Sequence, residues 1–434
     1  MNLGIFPRST RSPARERKVS VATVVFYFMA ILLAALLLEP LAHRLHLPFS
    51  AALVAGGFAG SQLLVGMGVD TGLRWHHFHD LVFFVFLPVL IFESAVTLDA
   101  RLLLRNLFPI LLLALPLLLL SVVLIGLLLY FGIGYPQGFP WIAALLAGVL
   151  LSATDPVAVT ELARRLPLPP RLLILMDGES LFNDAATVVL FMLLLSAAVG
   201  QSVGDVDLPA ATLTFLRLSF GGLALGLLAG VAGRWLIHWL GRPVIVSLMA
   251  AYGSYLAAET WLGVSGVMAT LACGLWLGST LRRDTDGTVK TLLAGWEQLG
   301  WVSNSAVFLL AGVTITVTMF EERWLAMLLG VGAVLVTRLL VVWLAAVLTP
   351  LLPGQQPVSV ASRVVLFVGG LRGAITLALA LTLPLELEGW WTVQSIAYGV
   401  VVFSLFVQAP LLEPLVKQLQ RRGHLRMDTP DVSK

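Results

Sequence analysis

Apolar stretches of roughly twenty residues recur from one end of the sequence to the other, the length an α-helix needs to cross a hydrocarbon layer of about 30 Å. Nothing else constrains the fold as tightly. In lipid every backbone N–H and C=O must find its partner within the protein, and helices achieve this segment by segment. Only 12% of the 434 residues are charged and 59% are hydrophobic, against about 25% charged in a soluble domain. The chain therefore reads as an all-α polytopic membrane protein. The first apolar stretch, residues 21–38, is too long for a signal-peptide core and lacks a cleavage site after it, so it counts as a span. The single cysteine, Cys273, excludes an internal disulfide and a multi-cysteine metal centre. The sequence pI of 9.2 comes from loop arginines, which suit anionic lipid headgroups, and no nucleic-acid partner is expected.

The pattern predicts about thirteen helices, near 21–42, 50–68, 79–99, 106–132, 140–163, 171–199, 211–240, 243–261, 264–279, 293–319, 323–350, 359–383 and 391–416. Residues 1–19 form a basic segment expected to be disordered, 20–417 a transmembrane domain, and 418–434 a short cytoplasmic tail. Basic residues follow the odd-numbered spans: Arg44; Arg101 and Arg105; Arg164, Arg165 and Arg171; Arg234 and Arg242; Arg282, Arg283 and Lys290; Arg363. After the even-numbered spans stand only Arg74 and Arg323. By the positive-inside rule the odd loops and the C-terminus face the cytoplasm. That orientation puts the N-terminus outside despite its five basic residues, so either it is translocated regardless or the span count is off by one.

Polar chemistry concentrates in residues 152–191, where a lipid-buried helix should carry none. Thr154-Asp155-Pro156 interrupts the fifth predicted span, because Pro156 donates no N–H and clashes with the preceding turn. Glu179, Ser180, Asn183 and Asp184 sit at the head of the sixth. An ionisable side chain inside a span is expensive and points to function. In the twelfth span Gly369, Gly370 and Gly373 loosen the helix around Arg372. The two interrupted spans are seven apart, an odd number, so they enter the membrane in opposite directions. Paired interruptions in two inverted halves point to a transport site near the midplane.

Ser180 and Asp184 are four residues apart and share a helix face. Asp155 lies beside a break whose freed carbonyls can ligate a cation. A carboxylate withdrawn from water holds a proton more readily, and a bound cation displaces that proton. Cation and proton thus compete for one group, which in a two-faced scaffold suffices for exchange. Glu93 is a third carboxylate at the end of an apolar run, either a ligand or a headgroup-level side chain. Glu179 and Arg372 are expected to pair, Asn183 to hydrogen-bond the broken span near Thr154, and Arg217 to pair with Glu259. Arg338 has no nameable partner. Asn304 and Ser305 read as helix–helix hydrogen-bonding groups. His76, His77 and His79 read as a solvated loop, with a pH sensor as the alternative.

With TDP in the fifth span, GESLFND in the sixth and GGLRGAI in the twelfth, the sequence resembles the sodium/proton exchangers of the first monovalent cation:proton antiporter family, NhaP-like branch. LPVLIFESA in the third span and NSAVFLLAG in the tenth also match. The resemblance implies thirteen helices, two inverted six-helix repeats and a homodimer whose core domain moves against a dimerisation domain. It implies Asp184 as the cation and proton carrier, Glu93 and Ser180 as further Na⁺ ligands, Thr154 contributing through its main chain, and Asp155 completing the site directly or through water. Asn183, where a related family has a second Asp, implies one cation per proton with no net charge moved. The long regulatory tail of the animal exchangers is lacking, so regulation by bound partners is not expected.

The expected function is electroneutral exchange of Na⁺ or Li⁺ for H⁺ across the plasma membrane, with no enzymatic activity and no cofactor. A K⁺/H⁺ exchanger on the same scaffold is the near alternative. A cation channel or ion sensor is the distant one, disfavoured because no carbonyl-filter repeat of the TVGYG kind is present.

Overall fold

The computed structural model describes residues 21–45, 47–67, 81–134, 138–156, 159–160, 162–163, 166, 168–200, 208–283, 287–352, 355, 357–423 and 425. The expectations for residues 1–19, for the histidine cluster and for Arg164 and Arg165 fall outside them. The described chain is built from helices: α1 Val21–Leu45, α2 Phe49–Gly66, α3 Val82–Thr97, α4 Ala100–Arg105, α5 Leu107–Ala114, α6 Pro116–Gly132 and α7 Trp141–Ser152. These are followed by α8 Pro170–Gly200, α9 Leu208–Leu240, α10 Pro243–Leu256, α11 Gly266–Leu281, α12 Thr288–Thr314 and α13 Val317–Leu348. The last are α14 Val360–Val368, α15 Ala374–Leu381, α16 Trp390–Phe403 and α17 Ala409–Arg421.

Seven helical stretches among the described residues are long and apolar enough to cross a membrane, and α3, α7 and α11 are shorter apolar helices. Outward faces carry large apolar side chains, among them Leu37, Phe131, Leu228, Trp239 and Leu340. That surface suits hydrocarbon, and the protein is a multi-pass membrane protein.

Three predicted boundaries shift for local reasons. The span predicted over 106–132 is divided at Leu115, because Pro116 has no N–H to continue the ladder and takes the first position of α6. The turn between the tenth and eleventh spans falls at Ile315–Thr316, both extended, so the tenth helix ends at Thr314 rather than near 319 and the eleventh begins at Val317 rather than near 323. The final predicted span contains a π-helical turn, Ser404–Gln408, and helix continues to Arg421.

The helices sort into two bundles. In one, α2 packs on α12, α12 on α3, α3 on α11, and α11 on α9 and α10. Small residues allow the tightest of these contacts: a Cβ at Gly222 or Gly226 of α9 would overlap carbonyls of Ser265 and Ala269 around α11. In the other bundle, α6 packs on α7 and α13, α13 on α16, and α7 and α15 both lie against α16. Helix α8 packs mainly on α5 and α7 and touches α3 and α11 across the divide. The polar residues of the sequence converge where the two bundles meet.

Candidate cation-binding site

Two helices are broken at the same level and cross there. Helix α7 stops at Ser152; Ala153 turns extended, and Asp155 is held extended by the proline that follows. Helix α14 stops at Val368, and the chain runs open through Gly369–Gly373 until α15 starts at Ala374. The open segments pair antiparallel, Asp155 N–H donating to Leu371 O at 2.9 Å. The Asp155 carboxylate lies over the start of α15 and accepts from Ala374 N–H at 3.3 Å, placing negative charge against a helix N-terminus. A Cβ at Gly373 would occupy the space of that carboxylate. Only glycine lets the two breaks approach this closely.

Helix α8 runs past the break and satisfies its freed groups. Asn183 Nδ2 donates to Ser152 O at 2.9 Å and reaches Thr154 Oγ1 at 3.4 Å, while Asn183 Oδ1 accepts from Thr187 Oγ1 at 3.0 Å. Ser180 Oγ donates to Thr154 O and lies 3.4 Å from Asp184 Oδ2. Its one proton is committed mainly to the carbonyl, so towards Asp184 it presents an oxygen. Asp184 Oδ1 is buried without a hydrogen-bond partner. A buried acceptor left unpaired is costly unless something arrives to pair with it.

Asp184 faces a cavity of about 60 Å³ between the bundles, whose polar lining comes from Glu93, Ser94, Thr154, Asp155, Asp184, Asn304 and Thr376. On the far side of the break lies a space of about 10 Å³, lined by Thr154, Asp155, Pro156, Glu179, Ser180, Arg338, Gly369 and Gly370 among others. That is roughly the room one water needs. Asp184, Asp155, Glu93 and Thr154 thus share the larger cavity, Ser180 reaches it through Asp184, and Pro156 borders both. Among the described residues no three His, Cys, Asp or Glu side chains gather as a metal cluster. The donor set is mixed oxygen, which fits a weakly held monovalent cation.

The buried ion pair differs from the sequence expectation. Glu179 is held not by Arg372 but by Arg338 of α13, through both carboxylate oxygens. The Arg338 guanidinium also donates to Leu366 O at 3.1 Å, near the open end of α14, where a helix dipole favours a cation. A Cβ at Gly370 would run into that guanidinium. Arg372 is also buried, but its Nε has no hydrogen-bond partner and it forms no ion pair among the described residues. Its backbone N–H is held by Ser404 Oγ at 3.3 Å. Helix α13 reaches Glu179 first because Arg338 points inward from a continuous helix. Arg372 sits on open chain whose path is set by the Asp155–Leu371 pairing.

Two smaller expectations also change. Arg217 and Glu259 do not pair; Glu259 accepts from Gly266 N–H at 2.8 Å and caps the start of α11. Asn304 makes no hydrogen bond among the described residues and faces the cavity, whereas Ser305 Oγ is buried without a partner. Arg338 was detectable as a buried charge in search of a carboxylate. Beyond its polarity, Asn304 carried only its place at the head of the NSAVFLLAG stretch.

The family described as sodium/hydrogen exchanger, transmembrane, matches residues 28–418. The chain is 35% identical over 345 residues to the Na⁺/H⁺ antiporter ApNhaP of Aphanothece halophytica, covering 78% of this chain and 65% of that protein, less than two-thirds of its length. It is 30% identical over 351 residues to the Na⁺/H⁺ antiporter NhaH of Halobacillus dabanensis, covering 79% and 84%. In fold it resembles the sodium proton antiporter MjNhaP1 from Methanocaldococcus jannaschii at pH 8, with a TM-score of 0.77, 19% identity, and coverage of 92% of this chain and 99% of that one.

Proposed function

The chain belongs to the sodium/hydrogen exchanger family, and we propose that it exchanges Na⁺ or Li⁺ for H⁺ by alternating access at Asp184. The observation that carries this reading is the Asp184 carboxylate, with one oxygen unpartnered and buried, on a cavity that divides two helix bundles. Asp184 takes either a proton or a cation. The cation is further held by Ser180 Oγ, the Thr154 carbonyl and Glu93, with Asp155 contributing directly or through water. Glu179 and Arg338 tie α8 to α13 and α14, so the bundle carrying Asp184 moves as one body. Asn183 fixes the break and takes no cation itself.

The wider architecture in this proposal has thirteen spans over residues 20–417, arranged as two inverted six-helix repeats. The opposed breaks at 153–156 and 369–373 support it. The C-terminus lies in the cytoplasm, as the basic loops indicate, and the protein works as a homodimer in the plasma membrane.

The test is a pH-sensitive dye in proteoliposomes given Na⁺, Li⁺ or K⁺ in turn. Proton movement driven by Na⁺ or Li⁺ is expected. Asp184→Asn is expected to insert normally and to lose exchange entirely, since an amide cannot trade a proton for a cation. Full exchange in that variant would sink the proposal, and a response to K⁺ alone would keep the mechanism and change the cargo.

A further inference from the structure

Helix α12 presents two consecutive turns to Glu93. At Gly300 the missing side chain leaves the seat for the Glu93 stem: a Cβ there would stand 2.9 Å from Glu93 Cγ and 3.4 Å from Oε2. Four residues on, and therefore on the same face, Asn304 borders the cavity opposite Asp184. Its amide forms no hydrogen bond with either bundle among the described residues. The reading of Asn304 as a helix–helix hydrogen-bonding group has no partner to support it. The neighbouring amide, Asn183, is fully engaged through both its nitrogen and its oxygen. The contrast is chemical: one asparagine is spent on the fold, and the other faces the cavity with its carbonyl oxygen uncommitted.

Resting on the exchange reading above, we propose that Asn304 is a specificity-determining residue of the site. It supplies a neutral carbonyl oxygen to the cation from the bundle opposite Asp184. Carboxylates from both walls provide the charge, and a small cation stripped of part of its water needs further oxygens to replace that water. A neutral donor does so without adding a negative charge, so the one-for-one balance of cation against proton is kept. Glu93 and Asn304 belong to the α2–α3–α12 bundle, whereas Asp184, Ser180 and Thr154 belong to the other. The cation is therefore grasped from both sides only while the bundles stand as they do here.

Asn304→Leu, which keeps the bulk and removes the oxygen, is expected to raise the apparent KM for Na⁺ about tenfold. Li⁺ is affected more than K⁺, because the smaller ion needs closer ligands. The maximal rate and the pH dependence at saturating Na⁺ stay at the wild-type level. Asn304→Ser, which restores an oxygen, recovers most of the affinity. A KM for Na⁺ within twofold of wild type in Asn304→Leu would overturn the assignment. So would a loss of rate and melting temperature at unchanged KM, which marks a packing role. If Asn304→Leu fails to insert, Asn304→Ala reads the same KM. If wild type moves no protons in response to any cation, the exchange reading fails on its own. Calorimetric Na⁺ binding to purified wild type and Asn304→Leu then still tests the ligand, with equal affinity overturning it.

Discussion

Glu179 sits within reach of two buried arginines, and which one it takes decides how a substitution behaves. Arg338 grips both oxygens of Glu179 and the carbonyl of Leu366. Removing either partner of a buried pair strands the other charge, at a cost of about 3–5 kcal/mol. Arg338→Ala and Glu179→Ala should therefore both lower the melting temperature of the purified protein sharply and reduce its folded yield. Replacing both by methionine should recover most of that loss, because no charge is then left unpaired. Arg372→Ala strands no carboxylate and should melt closer to wild type. Equal destabilisation by Arg338→Ala and Arg372→Ala would contradict this division of roles. A buried glutamate and two intramembrane arginines are visible in the sequence. Which arginine reaches it depends on the path of the chain between Val368 and Ala374, and spacing along one strand does not encode that.

At the level of elements, the breaks were legible because their causes are local. Pro156 stops α7, and the glycines around Arg372 open the span between α14 and α15. Pro116 acts by the same rule but lies in an unbroken apolar run with no polar residue to draw attention to it. The sorting of helices into bundles was not legible. In lipid both the buried and the outward faces of a helix are apolar, so no polar stripe reports which face meets a neighbour. The closeness of the two breaks was hidden too, since Gly373 reads as a helix breaker until Asp155 is seen above it. Gly373→Ala tests this contact. A methyl group there displaces the Asp155 carboxylate from the start of α15 and pulls the paired segments apart. Overpacking of this kind costs about 1–3 kcal/mol, too little to prevent insertion. Exchange should fall at least tenfold in proteoliposomes at near-normal yield, and wild-type exchange in Gly373→Ala would show that the breaks tolerate separation.

For the whole molecule, the charge carried across the membrane follows from how the site is neutralised. One carboxylate that binds either Na⁺ or H⁺ has the same net charge in both loaded forms, whatever the fixed charges of the Glu179–Arg338 pair around it. Asn183 adds none, being an amide committed to Ser152 O and Thr187. In the proposed cycle the loaded bundle would cross with equal charge in either direction, and the membrane potential would do no work on it. The magnitude makes this a sharp test. A cycle moving one net elementary charge gains or loses about 2.3 kcal/mol per 100 mV, which at 1.36 kcal/mol per decade corresponds to a change of up to about fiftyfold in rate. Proteoliposomes poised at 0 and at 100 mV with a potassium-diffusion potential should therefore exchange Na⁺ for H⁺ at the same rate within experimental scatter. A rate that climbs steeply with an inside-negative potential would require a second proton per cation. It would place that proton on Asp155 or Glu93, the two other carboxylates on the cavity, and the single-carrier mechanism would give way to a two-proton one.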